Sequence, residues 1–371
     1  MAGLKSAMDA MTVEGQLYDR LPEDRVRCLA CAHRCNIRPG QRGICQVRFN
    51  QDGALRVPAG YVLSAAADPI EKKPFFHFLP GSTAFTFGMP GCNFRCGFCQ
   101  NWVSSQALRD PQAVLHGGHL QRATAEQVVA AAVRSGAKII ASSYNEPLIT
   151  AEWAAQIFKL AHQHGLKTAF VSNGYATVEC LNYLRPHLDG FKVDLKTLDD
   201  SKYRALGGSL APVLESIQTA YKLGLWVEVV TLVIPGYNDD PQELLGIGRS
   251  VAAVSPDIPW HVTAFHPDYH MADTIATPVD TLHMAAEIGQ EAGLKYVYAG
   301  NLPGRLGKLE DTLCPKCGKD LIERTGFMLR RYEITADGKC PQCGSVIAGI
   351  WTDDPRSVET DTWGLPGRPV W

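Results

Sequence analysis

The chain has 371 residues, 46% of them hydrophobic, with a formal net charge of -2 and 12 cysteines. This hydrophobic fraction is ordinary for a globular core, and the near-neutral charge gives no bulk electrostatic reason to expect nucleic acid, although a local basic patch stays open. There is no run of about 18 apolar residues and no charged-then-apolar leader over Met1 to Asp24, so no membrane contact and a cytoplasmic setting are expected, where clustered cysteines mean metals rather than disulfides.

In chain order, the first chemistry is a Cys-rich segment before Arg48. Cys28, Cys31, Cys35 and Cys45 fit either a four-thiolate zinc site or an auxiliary 4Fe-4S cluster, with Gly40 and Gly43 shaping the return loop and His33 either substituting for one ligand or standing as a bystander between them. Next comes Pro69-Ile-Glu-Lys-Lys-Pro74, leading to His77. Lys72 and Lys73 there either line an anionic substrate's entrance or belong to a solvated charged loop.

From Thr83 to Pro267 short apolar strands alternate with amphipathic helices, the pattern of a parallel α/β array. Strands are expected at Thr83 to Phe87, Lys138 to Ala141, Lys167 to Val171, Gly190 to Val193, Leu225 to Val233 and Trp260 to Ala264. The first helix opens on the capping box Thr124-Ala-Glu-Gln127; others are read at Ala151 to His164, Val178 to Leu184, Ala211 to Leu223, Pro241 to Val254 and Val279 to Ala292. Six such units predict a partial (β/α)6 TIM-like barrel, in which active residues sit on loops at the C-terminal ends of the strands.

Past Asp311, Cys314-Pro-Lys-Cys317-Gly and Cys340-Pro-Gln-Cys343-Gly form two knuckles that can close a four-thiolate zinc ribbon; a rubredoxin-like iron site shares this geometry. The Pro-Gly-Trp tail after Thr352 reads as an irregular extension, packed or loose, and Cys180, alone in a helix, as a small core residue. The expected divisions are residues 1–80, 81–310 and 311–371 for Cys-rich segment, barrel, and ribbon with tail.

Cys92, Cys96 and Cys99, spaced C-x3-C-x2-C directly after the first barrel strand, supply three thiolates on one loop. They can hold three irons of a 4Fe-4S cluster and leave the fourth open to an exogenous ligand. A structural zinc loop would need a further Cys or His nearby, and none follows before His116. Other polar motifs fall on the same rim: Tyr144-Asn-Glu-Pro147, Ser172-Asn-Gly174, Asp194-Leu-Lys196 and His266-Pro267. With Phe98 before the last cysteine, this constellation resembles the radical SAM superfamily, in which S-adenosylmethionine (SAM) chelates the open iron through its amino and carboxylate groups.

That resemblance implies cofactor contacts. Glu146, with Tyr144 and Asn145 ahead of it, matches the acidic residue of the superfamily's Gly-Gly-Glu-Pro motif and would accept from the SAM ammonium; Asn-Glu-Pro can equally start a helix. Ser172 and Asn173 offer groups for the ribose or carboxylate, or make an ordinary strand-ending turn. Asp194 and Lys196 fall on one side of a strand end, as a salt bridge or as a site in which Lys196 pairs the SAM carboxylate. Tyr237 and His266 are further rim contacts for SAM or substrate.

The run Gly190 to Lys196, Ile234-Pro-Gly-Tyr-Asn-Asp239 and Phe265 to Pro267 resemble the activating enzyme of pyruvate formate-lyase. The N-terminal C-x2-C-x3-C-x9-C run, Pro69 to Pro74 and Gly300-Asn-Leu-Pro-Gly304 are similar to the radical SAM enzymes of the AmmeMemoRadiSam system. The resemblance implies an enzyme using a 4Fe-4S cluster, SAM and an external one-electron reductant such as flavodoxin or ferredoxin, with zinc in the ribbon. It would cleave SAM reductively to a 5′-deoxyadenosyl radical that takes hydrogen from an unidentified small molecule or protein partner. A glycyl-radical activase, a tRNA- or peptide-modifying enzyme, and a non-enzymatic metal-binding adaptor are the alternatives.

Overall fold

Seven apolar stretches pair side by side in parallel: β2 (Thr83–Gly88), β3 (Ile139–Ser142), β4 (Lys167–Ser172), β5 (Gly190–Asp194), β6 (Trp226–Val233), β7 (Trp260–Ala264) and β8 (Val297–Gly300). A strand before them, β1 (Ser64–Pro69), runs antiparallel to β2, and Arg368–Pro369 adds antiparallel to β1. The computed structural model describes residues 2–116, 120–361 and 368–369, so most of the expected C-terminal tail after residue 361 and the side chain of His116 lie outside the described residues.

Parallel strands covered on both faces must be apolar throughout, and β3 and β7 are buried at every position. The helices bury one stripe each. α1 (Ala125–Arg134) starts where Thr124 accepts from the Gln127 amide and the Gln127 side chain returns a bond to the Thr124 N–H, both orphan donors being satisfied. α2 (Ala151–Gln163) turns Trp153, Ala154, Ile157, Phe158 and Ala161 inward. α3 (Val178–Leu184), α4 (Asp200–Leu206), α5 (Leu210–Lys222), α6 (Pro241–Ala252) and α7 (Val279–Glu291) follow, with Asp199 and Asp240 capping α4 and α6.

Two features depart from the expected six-unit barrel. A seventh parallel strand, β8, extends the sheet, and among the described residues β8 and Arg368–Pro369 are unpaired outer edges, so the nine-stranded sheet is open. The expected boundary at residue 80 also falls between two hydrogen-bonded neighbours, β1 and β2, because the chain before residue 81 supplies part of the central sheet.

The Cys-rich segment forms two small antiparallel sheets, and its buried Val26, Ile37 and Val47 join the same hydrophobic core as the central sheet. A buried ion pair between Arg48 and Glu152 of α2 ties it down, with Glu152 also accepting from the Gln16 and Leu17 amides. At the other end, β9 (Thr312–Leu313), β10 (Asp320–Thr325) and β11 (Met328–Tyr332) pack a second core of Leu321, Ile322, Leu329 and Ile347 against Phe76, Tyr296 and Tyr298. Arg324 crosses this seam fully buried, donating to the Phe76 and Glu310 carbonyls and to Thr312. Among the described residues no helix is long and apolar enough to cross a membrane.

Candidate functional site

The register aligns the C-terminal strand ends on one rim: Phe87 faces Ser142, Val193 faces Ser172, and Asp194 faces Val230. The Cys92–Cys99 loop leaves β2 at Gly88, where a Cβ would stand 2.8 Å from the Ser143 carbonyl and 2.9 Å from the Tyr144 side chain. Only glycine lets the two rim loops approach so closely. Tyr144 itself takes a left-handed conformation, φ 68°, strained for an aromatic residue and suited to the glycine that the family pattern would place there.

Cys96 and Cys99 line a cavity of about 390 Å³ together with Tyr144, Lys192, Asp194 and Lys196. Burial pushes the Cys96 thiol up to about 12, against the opposing field of Lys196. Burial raises Cys99 too, opposed first by the Ser105 hydroxyl 3.2 Å away. Cys92 accepts the Phe94 amide at 3.4 Å. Thiols of this kind, Cys96 buried and Cys92 and Cys99 half-buried, ionise at neutral pH once a metal takes the place of their protons, and the neighbouring lysine and N–H donors favour the resulting thiolates. The donor set therefore fits an iron–sulfur cluster, whose ligands sit on separate irons.

Asp194 lies between two ammonium groups, bonded to Lys192 and 3.4 Å from Lys196. Burial opposes its charge, yet the two lysines outweigh that and hold its carboxyl below the ordinary range. Burial likewise works against Lys196, and the Asp194 carboxylate more than restores its proton affinity. Lys73, which also lines this cavity, is 4% exposed, donates to the Tyr144 hydroxyl at 3.0 Å, and lies 3.4 Å from Asp68. Burial lowers its pKa to about 8, with Asp68 acting against the shift.

The four other expected contacts on this rim are engaged elsewhere. The Glu146 carboxylate accepts from the Ser172 hydroxyl at 2.7 Å, the Asn173 amide at 2.7 Å and the Leu148 amide at 3.0 Å. Burial raises its pKa to about 7, those three donors opposing. The Asn145 side chain accepts from Met89 N and donates to Glu146 O, while the Asn173 amide donates to the Asn93 side chain inside the cysteine loop. Glu146, Asn145, Ser172 and Asn173 thus form a buried brace beneath the loop, off the cavity wall.

His266 is exposed and lines an adjoining cavity of about 790 Å³. Lys72, Gln100, Asn301 and Phe327 border both cavities, and Phe327 comes from the turn between β10 and β11. Lys192 is a charged wall residue that sequence reasoning missed, although it stands two before Asp194 on the same face of β5. Phe327 carried no local signal, since only the docking of the ribbon brings it there.

In the ribbon, Cys314 and Cys343 sulfurs are 3.6 Å apart and those of Cys317 and Cys340 3.7 Å, and all four lie within 4.8 Å of one another. A tetrahedral ion with bonds of about 2.3 Å to sulfur sets its ligands about 3.8 Å apart, so this set fits a single four-coordinate metal. Cys28, Cys31 and Cys45 are buried and Cys35 half-buried in the N-terminal segment, while Cys180 is fully enclosed in the core of α3.

The model of the radical SAM superfamily matches residues 87–246. An uncharacterised protein of Methanocaldococcus jannaschii is 39% identical over 337 residues, covering 90% of this chain and 98% of its own length. A GTP 3′,8-cyclase of Pelotomaculum thermopropionicum is 24% identical over 253 residues, 63% of this chain and 76% of that enzyme. The isethionate sulfite-lyase activating enzyme of Oleidesulfovibrio alaskensis is 30% identical over 134 residues, 34% of this chain and 43% of the relative.

Proposed function

We propose that this chain, whose residues 87–246 match the radical SAM superfamily, cleaves SAM reductively in the 390 Å³ cavity and uses the resulting radical on a substrate held in the adjoining 790 Å³ cavity. With cluster and SAM bound, the site would supply one-electron reduction of the C5′–sulfonium bond, giving methionine and a 5′-deoxyadenosyl radical that would take one hydrogen atom from the substrate. Cys92, Cys96 and Cys99 hold the 4Fe-4S cluster. Lys196 pairs the SAM carboxylate and Asp194 its ammonium, while Glu146 fixes the loop from behind. The observation that carries this reading is that Cys96, Cys99, Asp194 and Lys196 share the wall of one cavity.

The narrower assignment is to the AmmeMemoRadiSam type. Its support is spatial: Pro69 and Lys72 from Pro69 to Pro74, and Asn301 and Pro303 from Gly300 to Gly304, meet on the wall of the larger cavity. Segments more than 220 positions apart in the chain converge where a substrate would lie. The ribbon's buried seam with Phe76 and Tyr298 supports its role as a chamber wall, holding zinc on Cys314, Cys317, Cys340 and Cys343, rather than as a swinging nucleic-acid module. Activating-enzyme relatives keep a protein substrate as the second reading. A flavodoxin or ferredoxin would supply the electron.

Anaerobically reconstituted protein given SAM and dithionite should release 5′-deoxyadenosine and methionine in equal amounts, and Cys96→Ala should abolish both. Continued cleavage by Cys96→Ala would remove the assignment of the cluster.

A further inference from the structure

The N-terminal cysteines remain outside the chemistry described so far. The Cys28 amide donates to the Cys35 carbonyl at 3.0 Å, and Cys31 lies within electrostatic reach of Cys28, Cys45 and Cys35, so the four thiols are gathered in one pocket. Their spacing differs from the ribbon's. Among the described residues, the ribbon set is the group that brings three or more ligand atoms within 4.8 Å of one another, the spacing one ion requires. The N-terminal sulfurs are spread more widely, as they are when each thiolate binds a separate iron of a cube.

A second observation points to a ligand in that pocket. Arg48 is 1% exposed and spends one nitrogen on Glu152, while its Nε and Nη1 have no hydrogen-bond partner. Cys28 and Cys45 lie within its field. A buried guanidinium with two unspent donors costs a few kcal/mol unless something accepts them. A cluster ligated by four thiolates carries sulfide and thiolate acceptors, and it supplies the acceptors that Arg48 Nε and Nη1 lack. The Ile44 amide, 3.5 Å from Cys35 Sγ, adds a further donor to sulfur.

The position of this pocket gives it a use. A Cβ on Gly91, the residue before Cys92, would stand 3.3 Å from the Cys45 carbonyl and 2.8 Å from Val47. Gly91 adopts φ +100°, so both space and backbone conformation demand glycine where the two cysteine loops touch. His33, between Cys31 and Cys35, donates from Nε2 to the carbonyl of Asn93, next to Cys92, at 3.1 Å. Two direct contacts therefore join the N-terminal cysteine loop to the loop proposed to carry the SAM cluster.

We propose that Cys28, Cys31, Cys35 and Cys45 hold a second 4Fe-4S cluster, which takes one electron from an external low-potential donor and passes it through the Cys45–Gly91 contact to the cluster on Cys92, Cys96 and Cys99. The second cluster returns to its oxidised state in each transfer, and no bond or proton moves. The relay rests on the proposed SAM chemistry, whereas the second cluster does not.

Metal content tests the site on the full chain purified and reconstituted without oxygen. The expected result is about eight irons and one zinc per chain. A Cys92→Ser/Cys96→Ser/Cys99→Ser variant should retain about four irons and a paramagnetic signal on dithionite reduction. About four irons in the wild type, with none in the triple variant, would overturn the second cluster whether or not a second zinc is found. For the relay, Cys28→Ser/Cys31→Ser protein that melts cooperatively and keeps its ribbon zinc and SAM-cluster iron should lose at least about tenfold in SAM cleavage driven by a flavodoxin. An unchanged rate would overturn the relay, and absence of SAM cleavage in the wild type would instead overturn the SAM chemistry. If the double variant does not fold, freeze-quench of the wild type decides: the N-terminal signal, identified from the triple variant, should rise before the SAM-cluster signal, and the reverse order would overturn the relay.

Discussion

At the scale of single residues, the division of labour on the rim turns on where each charge is spent. Glu146 gives its carboxylate to three donors from Ser172, Asn173 and Leu148, whereas Lys196 lines the cavity together with Cys96 and Cys99. Glu146→Gln sets an amide N–H against one of those donors and should cost about 1 to 3 kcal/mol of stability, read as a lowered melting temperature, with SAM affinity unchanged. Lys196→Ala should do the reverse, weakening SAM binding about ten- to a hundredfold in equilibrium titration while iron content holds. Equal effects of both changes on affinity would return Glu146 to the cofactor. The sequence placed both residues just past C-terminal strand ends, where they lie, because strand ends could be read from apolar runs. Which way Glu146 points depends on amides of two other strand ends, and that information is not local.

At the scale of elements, the six expected strands and helices were legible because each carries a periodicity that burial imposes. Two strands of the central sheet that were missed have no such signal. Ser64–Pro69 reads Ser-Ala-Ala-Ala-Asp-Pro, poor in β-branched and aromatic residues, and joins the sheet because β2 offers it an open edge. Val297–Gly300 is four residues ending in glycine. Packing against the ribbon and α7, not propensity, makes it a strand. The β10–β11 hairpin has a consequence for chemistry, since its tip residue Phe327 is 42% exposed yet borders both cavities. Phe327→Ala removes little buried surface, so stability should change by less than about 0.5 kcal/mol. Widening the wall admits water and reductant, and substrate-free SAM cleavage under dithionite should rise about threefold or more. An unaltered uncoupled rate would mean that Phe327 does not close the chamber.

At the scale of the whole molecule, the ribbon and the segment before the barrel are locked together by a contact 271 positions apart in the chain, which is why no reading of local pattern could find it. His77 Nδ1 donates to the Ala348 carbonyl at 2.6 Å, so its Nε2 is left to accept from the Tyr298 hydroxyl, also at 2.6 Å. That arrangement requires a neutral ring of one tautomer. Burial lowers the His77 pKa from 6.5 to about 4, with Glu228 and the Ala348 carbonyl opposing. A base whose folded pKa is depressed favours folding above its unfolded value, and this stability is lost as pH falls from about 6.5 through 4. The full effect is about 3 kcal/mol, from about 1.4 kcal/mol for each unit. Glu71 and Glu146, both raised to about 7 by burial, act in the opposite sense, their contributions being present at low pH and lost as pH rises from 4.5 through 7. A comparison of variants separates the two trends. His77→Gln can keep an N–H toward Ala348 and an oxygen toward Tyr298 but cannot take up the proton. Between pH 7 and pH 4.5 its melting temperature should therefore fall less than that of the wild type. Parallel curves for the two proteins would show that the seam between ribbon and barrel does not depend on the charge state of His77.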